Sequence, residues 1–192
     1  MFVLVTHNQH KLQEIKSLWN WQTPLVSLSD IGWTQNIKER GLTFHENALF
    51  KAQTVASAKK VSCIADDSGL CVSALDNAPG VYSARYAGVP TNADRNIEKL
   101  LFQLCNKTNR SAYFTTVICL VHNNAIHYFE GNIHGEIIHI PKGKNGFGYD
   151  PIFMPTGYNK TFAELDPYEK NNISHRAIAI KKLLNYLETT LG

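Results

Sequence analysis

Phe2-Val3-Leu4-Val5-Thr6-His7-Asn8-Gln9-His10-Lys11 opens the chain with an apolar run that breaks at Thr6-His7-Asn8. Consecutive apolar residues suit a strand buried on both faces. Leu12, Ile15 and Trp19 then recur on one helical face, so the segment reads strand, tight loop, helix. The alternation returns downstream. Thr43 and Glu46 have capping-box spacing ahead of Leu49, Ala52, Val55 and Ala56, which repeat at helical intervals. Residues 61–65 read as a strand that ends at Asp66-Asp67-Ser68-Gly69, a good turn sequence. Ile97, Leu100, Leu101 and Leu104 mark an amphipathic helix capped by Thr91 or Asn92. Later, 112–121 and 125–130 read as strands joined by a two-residue turn at Asn123-Asn124. Residues 132–140 continue as a third strand and 143–148 form a loop. Asp166, Pro167 and Glu169 start a short helix, and a last helix from near Ser174 buries Ile180, Leu183, Leu184 and Leu187. Early alternation followed by antiparallel pairing predicts an α/β fold with a mixed sheet.

With 192 residues and no linker, repeat or low-complexity tract, the chain is expected to form one domain over 1–192. A hydrophobic fraction of 44% against 18% charged residues points to a packed globular protein. The net charge of +3 is too weak for a nucleic-acid coat, and a single-strand binder would also need a basic groove with spaced aromatics. No apolar run approaches the ~20 residues of a membrane span. The N-terminus has no basic lead, so no signal peptide is expected. Cys63, Cys71, Cys105 and Cys119 form no C-x-x-C pair and read as reduced residues, consistent with a cytoplasmic protein.

Three places break ordinary expectations. Lys11 falls in the first turn of its helix, Lys170 in a short helix, and His175-Arg176 directly after the cap candidate Ser174. Cations are misplaced at a helix N-terminus unless an anion joins them, so these positions suggest a phosphate cradle. Solvated surface cations are the plainer alternative. Asp66-Asp67 repel each other unless a cation or hydrogen bonds offset them. A hard divalent ion bound with a nucleotide takes one or two such carboxylates, and Glu39 before Gly41 is a further oxygen donor. In Gly146-Phe147-Gly148-Tyr149-Asp150 the glycines let backbone approach a flat ligand and the ring can stack on a base. An aromatic-rich turn is the simpler reading. His7 and His10 are close, but none of the eight histidines has zinc-site spacing.

Taken in order, these segments resemble the inosine triphosphate pyrophosphatase family, in its bacterial form, over almost the whole chain. Thr6 to Lys11 resembles its T-x-N-x-x-K loop. Glu39-x-Gly41 to Lys51-Ala52 resembles its second motif. Ala65 to Leu70 and Ala78 to Tyr86 resemble its third. Gly146 to Pro151 and Glu169 to Arg176 resemble its last two. His10 stands where a glycine usually precedes the lysine, and Asp76-Asn77 where Gly-Gly is frequent.

The resemblance implies an elongated two-lobed α/β structure with a nucleotide cleft between the lobes. It implies Mg²⁺-dependent hydrolysis of ITP, dITP and XTP, noncanonical purine nucleotides, to the monophosphate and pyrophosphate, by a homodimer that clears deaminated purines. Glu39 and Asp67 match metal-binding positions, and Asp67 the general base. Thr6, Asn8, Lys11, Lys51 and Ser68 match the triphosphate side, with His7, Gln9 and His10 in the same loop counted as substrate-binding. Phe147, Gly148, Tyr149, Asp150, Lys170, His175 and Arg176 match positions around the nucleotide and its base. A phosphatase releasing orthophosphate and a nucleotide sensor without turnover are the rival readings.

Overall fold

The computed structural model describes residues 1–191. Among them the elements run β1 (Phe2–Leu4), α1 (Gln9–Leu18), β2 (Leu25–Ser27), α2 (Phe44–Lys59), β3 (Ser62–Val72), α3 (Ala93–Gln103), β4 (Ser111–His122), β5 (Ala125–Ile137), β6 (Phe153–Pro155), α4 (Pro167–Ile173) and α5 (His175–Leu191), with short 3-10 turns between them. The strands form one mixed sheet in the order β2-β1-β3-β4-β5-β6. Val3 of β1 lies opposite Val26 of β2 and Cys63 of β3, both in parallel. β6 closes the other side antiparallel to β5, Met154 opposite Glu136. The α/β class with a mixed sheet is therefore as the sequence predicts.

Local signals set most boundaries. Thr43 and Glu46 form the reciprocal capping box of α2. Asn92 caps α3, and Asp166 caps α4 with Pro167 in its first turn. Asn123 and Asn124 both take positive φ, 48° and 64°, as a two-residue turn between twisted strands requires. α1 ends at Leu18, one residue before Trp19, which caps it.

Two strand predictions need correction. β3 does not stop at Ala65 but continues through Asp66-Asp67-Ser68-Gly69 to Val72. The acidic pair can stay extended because partners far away in sequence meet both side chains. Lys11 bonds Asp66, and Asn47 bonds Asp67. β5 likewise runs unbroken from Ala125 to Ile137, through Gly131. Residues 138–140 lie outside it.

By its contacts the chain divides into two compact units, one of Met1–Asp67, Thr116–Gly131 and the segment from Arg176, the other of Ser68–Thr115 and Asn132–His175. In the first, strand alternation sends Phe2, Leu4 and Ile64 to a cluster with Ile15 of α1 and Ile180, Leu183 and Leu187 of α5. Val3, Val5, Cys63 and Ala65 enter a second cluster with Ala48, Ala52 and Val55 of α2. β1 and β3 are thus covered on both faces, which explains why β1 reads as an uninterrupted apolar run. The second unit packs Leu70, Leu100, Leu104, Phe114, Tyr149, Phe153 and Phe162 into one core. Cys63, Cys71 and Cys119 are buried and Cys105 exposed, all as free thiols. No helix among the described residues is long and apolar enough to cross a membrane.

Asp76 and Asn77 occupy consecutive left-handed positions, with φ of 51° and 63°. Two glycines would serve there, and Asp and Asn are the side chains that tolerate the region best. His10, by contrast, lies in the first turn of α1 with helical backbone and needs no glycine. Asn77→Ala is expected to lower stability by about 1 kcal/mol, the penalty of a left-handed conformation for a residue with Cβ. Asn77→Gly should be at least as stable as the wild type in the same urea titration. Equal midpoints for both variants would contradict the turn's role.

Candidate active site

The first unit gathers charged side chains around the middle of β3. Asp66 has no solvent exposure, and Lys11 Nζ lies 2.9 Å from its Oδ2. Arg176 Nε is 3.7 Å from the same oxygen. Arg176 itself is 1% exposed and pairs through Nη1 with Glu14. Burial alone would raise the Asp66 carboxyl, but Lys11, Arg176 and Lys51 hold it far below the usual carboxylate range. Lys11 and Arg176, the cations that seemed misplaced at helix starts, are therefore matched by protein carboxylates, the buried Asp66 and the half-buried Glu14.

Beside it, α2 presents Asn47 and Lys51, four residues apart on one buried face. Asn47 Nδ2 donates to Asp67 Oδ2 at 2.9 Å. Lys51 Nζ donates to Glu39 Oε1 at 2.5 Å and to the Asp66 carbonyl at 2.6 Å, and lies 3.9 Å from Asp67 Oδ1. Burial pulls the Lys51 ammonium down, but Asp67, Asp66 and Glu39 reverse that and hold it protonated. Asp67 moves the other way. Burial raises its carboxyl, Lys51 and Lys11 only partly offset this, and Glu39 adds to the rise. Burial would also raise Glu39, yet Lys51 brings it below its ordinary value. Thus Glu39 and Asp67 both face the Lys51 ammonium, the first in hydrogen-bond contact and the second 3.9 Å away.

The rest of the opening loop is more exposed. Asn8 caps α1 by accepting from Lys11 N at 3.1 Å, and its own N–H donates to Thr6 Oγ1. His7 Nε2 meets the Gln35 carbonyl at 3.0 Å. Gln9 and His10 sit exposed in the first turn of α1.

The second unit holds the remaining candidates. Asp150 is buried and accepts from Lys170 Nζ at 2.7 Å and from Phe147 N at 2.8 Å. A Cβ on Gly146, where φ is 74°, would collide with the Asp150 carboxylate, so the loop requires glycine there. Lys170 Nζ also lies 5.1 Å from the centroid of the half-buried Phe147 ring. Gly148, at φ 62°, has open space where its side chain would be. Tyr149 turns into the core, and its hydroxyl donates to the Ser83 carbonyl at 2.9 Å. Burial pushes that phenol well above its ordinary value. His175 is buried and stacks on Phe114. Ser68 is half-buried on β3.

The sequence-selected residues thus form two constellations. Thr6 to Lys11, Glu39, Lys51, Asp67 and Arg176 belong to the first unit, and Ser68, Phe147, Gly148, Tyr149, Asp150, Lys170 and His175 to the second.

The family model described as "Ham1 family" matches residues 2–186. The chain belongs to the Ham1 family. It is 47% identical over 186 residues to the dITP/XTP pyrophosphatase of Porphyromonas gingivalis, covering 96% of each chain. It is 49% identical to that of Christiangramia forsetii, covering 96% and 97%. Among solved structures it is similar to the Ham1 protein of Staphylococcus aureus, with a TM-score of 0.90 at 41% identity over 98% of each chain. The Ham1 protein of Coxiella burnetii gives 0.91 at 41% identity, again over 98% of each.

In this Ham1 chain the sequence reading passed over Asn47 and Glu14, and took Asp66 only together with Asp67 as an acidic pair in need of a cation or hydrogen bonds. Asn47 had a usable signal, since its spacing from Lys51 places two polar side chains on one helix face. Asp66→Asn should destabilise the protein by about 3 kcal/mol, because it strips the carboxylate from the buried Arg176 and the half-buried Lys11. Urea unfolding measures this, and a loss below about 1 kcal/mol would show that Lys11 and Arg176 do not depend on it.

Proposed function

We propose that this chain hydrolyses ITP, dITP and XTP to the nucleoside monophosphate and pyrophosphate, clearing deaminated purines from the nucleotide pool. The pyrophosphatase names carried by its full-length Ham1 relatives support the activity. The observation that carries the site assignment is the convergence of Glu39 and Asp67 on Lys51.

A divalent cation fits that donor set. Both donors are hard carboxylate oxygens, and the surrounding partly buried cluster sets four carboxylates, Glu14, Glu39, Asp66 and Asp67, against three cations, Lys11, Lys51 and Arg176. Among the described residues no group of three or more His, Cys, Asp or Glu forms a ready metal cage. Two carboxylates suit an ion such as Mg²⁺, which takes one or two such ligands and completes its shell with phosphate oxygens and water. Glu39 and Asp67 would hold it, and when bound it supplies charge stabilisation on the triphosphate oxygens.

Asp67 acts as general base. Its raised proton affinity suits it to take the proton of the attacking water. The water oxygen bonds to the α-phosphorus, the α–β bridging P–O bond breaks, and its electron pair leaves with pyrophosphate. Lys11 and Lys51 offset the charge that develops there, while Thr6, Asn8 and Ser68 contact the triphosphate. In the second unit Phe147 stacks on the base, beside Lys170 and His175. Inosine and xanthosine carry a keto oxygen at purine C6, where adenosine carries an amino group. A fixed donor, Arg176 or a backbone N–H near His175, satisfies the first and faces the second donor to donor.

We further infer one functional domain over 1–192, since the family match runs through both units without a break. We infer a homodimer on family resemblance. The free thiols suit a cytoplasmic location. Light scattering at micromolar concentration should give twice the mass of the 21.6 kDa chain, and a monomer mass overturns the dimer.

Incubation with ITP and Mg²⁺ should yield IMP and pyrophosphate, stop with excess EDTA, and resume on adding Mg²⁺. Orthophosphate as the product would favour a phosphatase, and binding without turnover a sensor. Asp67→Asn should cut turnover by roughly 10²–10⁴-fold while nucleotide still binds. Turnover within a few-fold of wild type would remove Asp67 from the mechanism. ITP should exceed ATP in kcat/KM by on the order of 10²-fold or more.

A further inference from the structure

Phe114 lies on β4, away from every motif that marks the family resemblance, and is almost fully buried. Its ring lies flat against the imidazole of His175, with centroids 4.8 Å apart and planes 10° apart. Two further rings back it. Phe153 meets it edge-on at 4.7 Å, and Phe162 stacks at 5.9 Å. Phe162 in turn lies 5.7 Å from Lys170 Nζ, whose ammonium also faces Phe147. A continuous series of ring and cation contacts therefore joins His175 to Phe147 through Phe114, Phe162 and Lys170.

The physical need for such a backing is specific. The last torsion of a histidine is broad and roughly two-fold, so its own rotamer preference leaves the plane of the imidazole weakly defined. A neighbouring aromatic face defines it, because the offset-stacked arrangement is a preferred geometry of flat rings. An aliphatic side chain would fill the volume without imposing a plane. Lys170 has a similar requirement. Its flexible stem gains one position from the Asp150 carboxylate and from the Phe147 and Phe162 rings near the ammonium.

We propose that Phe114 is a positioning residue for purine recognition: its ring sets the plane of the His175 imidazole, and through Phe162 it supports the Lys170 ammonium. This rests on the assignment of His175 and Lys170 to the base end of the nucleotide. Phe114 touches no substrate itself. Its contribution is to hold those two groups within the tolerance that selective recognition needs, where a misplacement of about 1 Å can cost 10²-fold.

The test compares Phe114→Leu with Leu100→Ala in the full chain. Leu100 belongs to the same core cluster and is fully buried, so its truncation matches the loss of packing. Two readouts are taken. The first is the NMR signal of the His175 ring protons, identified by its loss in His175→Gln. In the wild type it should be shifted by the Phe114 ring current. Phe114→Leu should return it toward the ordinary histidine position, and Leu100→Ala should leave it in place. The second is kcat and KM for ITP and ATP. Phe114→Leu should raise the KM for ITP and reduce the ITP-over-ATP preference, each by roughly 10-fold, with pyrophosphate still the product. Leu100→Ala should keep the preference. An unmoved His175 signal in Phe114→Leu, or an equal loss of preference in both variants, overturns the proposal. If the wild type fails to release pyrophosphate from ITP, the functional assignment fails instead, and the His175 signal still decides whether Phe114 sets the ring.

Discussion

A carboxylate with no access to water has to be neutralised by the protein, and Asp66 imposes that demand at the centre of the first unit. It is met by Lys11 from the first turn of α1 and by Arg176 from the start of α5, two helices from opposite ends of the chain. Desolvating three charges is unfavourable unless the partners lie in good geometry with their remaining groups bonded. Glu14 contributes by taking the far side of the Arg176 guanidinium. The strand carrying Asp66 also carries Asp67, so the arrangement that neutralises the first residue fixes where the second sits. The chemistry proposed for Asp67 would thus be tied to a structural charge one residue away, and the alternation of a strand sends the two side chains to opposite faces.

The second unit repeats the device at smaller scale. Asp150 is buried, takes an ammonium from Lys170, and uses the same oxygen to hold the backbone of Phe147. Each constellation therefore has an internal acid that orders a lysine before any nucleotide arrives. Such preorganisation lowers the cost of ordering long side chains at the moment of binding. It also explains why sequence-level bookkeeping of the cations as unmatched charges was incomplete. The matching acids lie from 20 to 162 positions away along the chain.

What was legible in the sequence was local. The capping box at Thr43 and Glu46, the Asn123-Asn124 turn and the proline start of α4 each depend on a few neighbouring residues, and each stands where it was read. The strand ends were misread for the complementary reason. Asp66-Asp67-Ser68-Gly69 has the composition of a turn, and only Lys11 and Asn47, brought in by the fold, make it a strand. Gly131 looked like a break in β5 because local propensity disfavours glycine in strands, and pairing overrode it. At the site, the family-like motifs pointed to exposed and buried residues alike, from His10 to Arg176. The inner supports stayed silent, since a buried phenylalanine such as Phe114 looks like any other core residue until its neighbour is known.

The division of the first unit into three separate stretches of chain bears on how the molecule is made. Glu14 and Arg176, which end as partners, are 162 positions apart. At the usual pace of synthesis, about 5–20 residues per second, the guanidinium emerges roughly 8–30 s after the carboxylate that will meet it. During that interval Asp66 has Lys11 but not Arg176, and the cluster of Phe2, Leu4 and Ile64 has no α5 to cover it. The second unit, in contrast, is already complete in sequence at His175. Both units are therefore completed late in synthesis, the second with His175 and the first with the helix that follows it. The stretch that holds Phe147 and Lys170 can settle first, and the one that begins the chain must wait for the last helix before it can close.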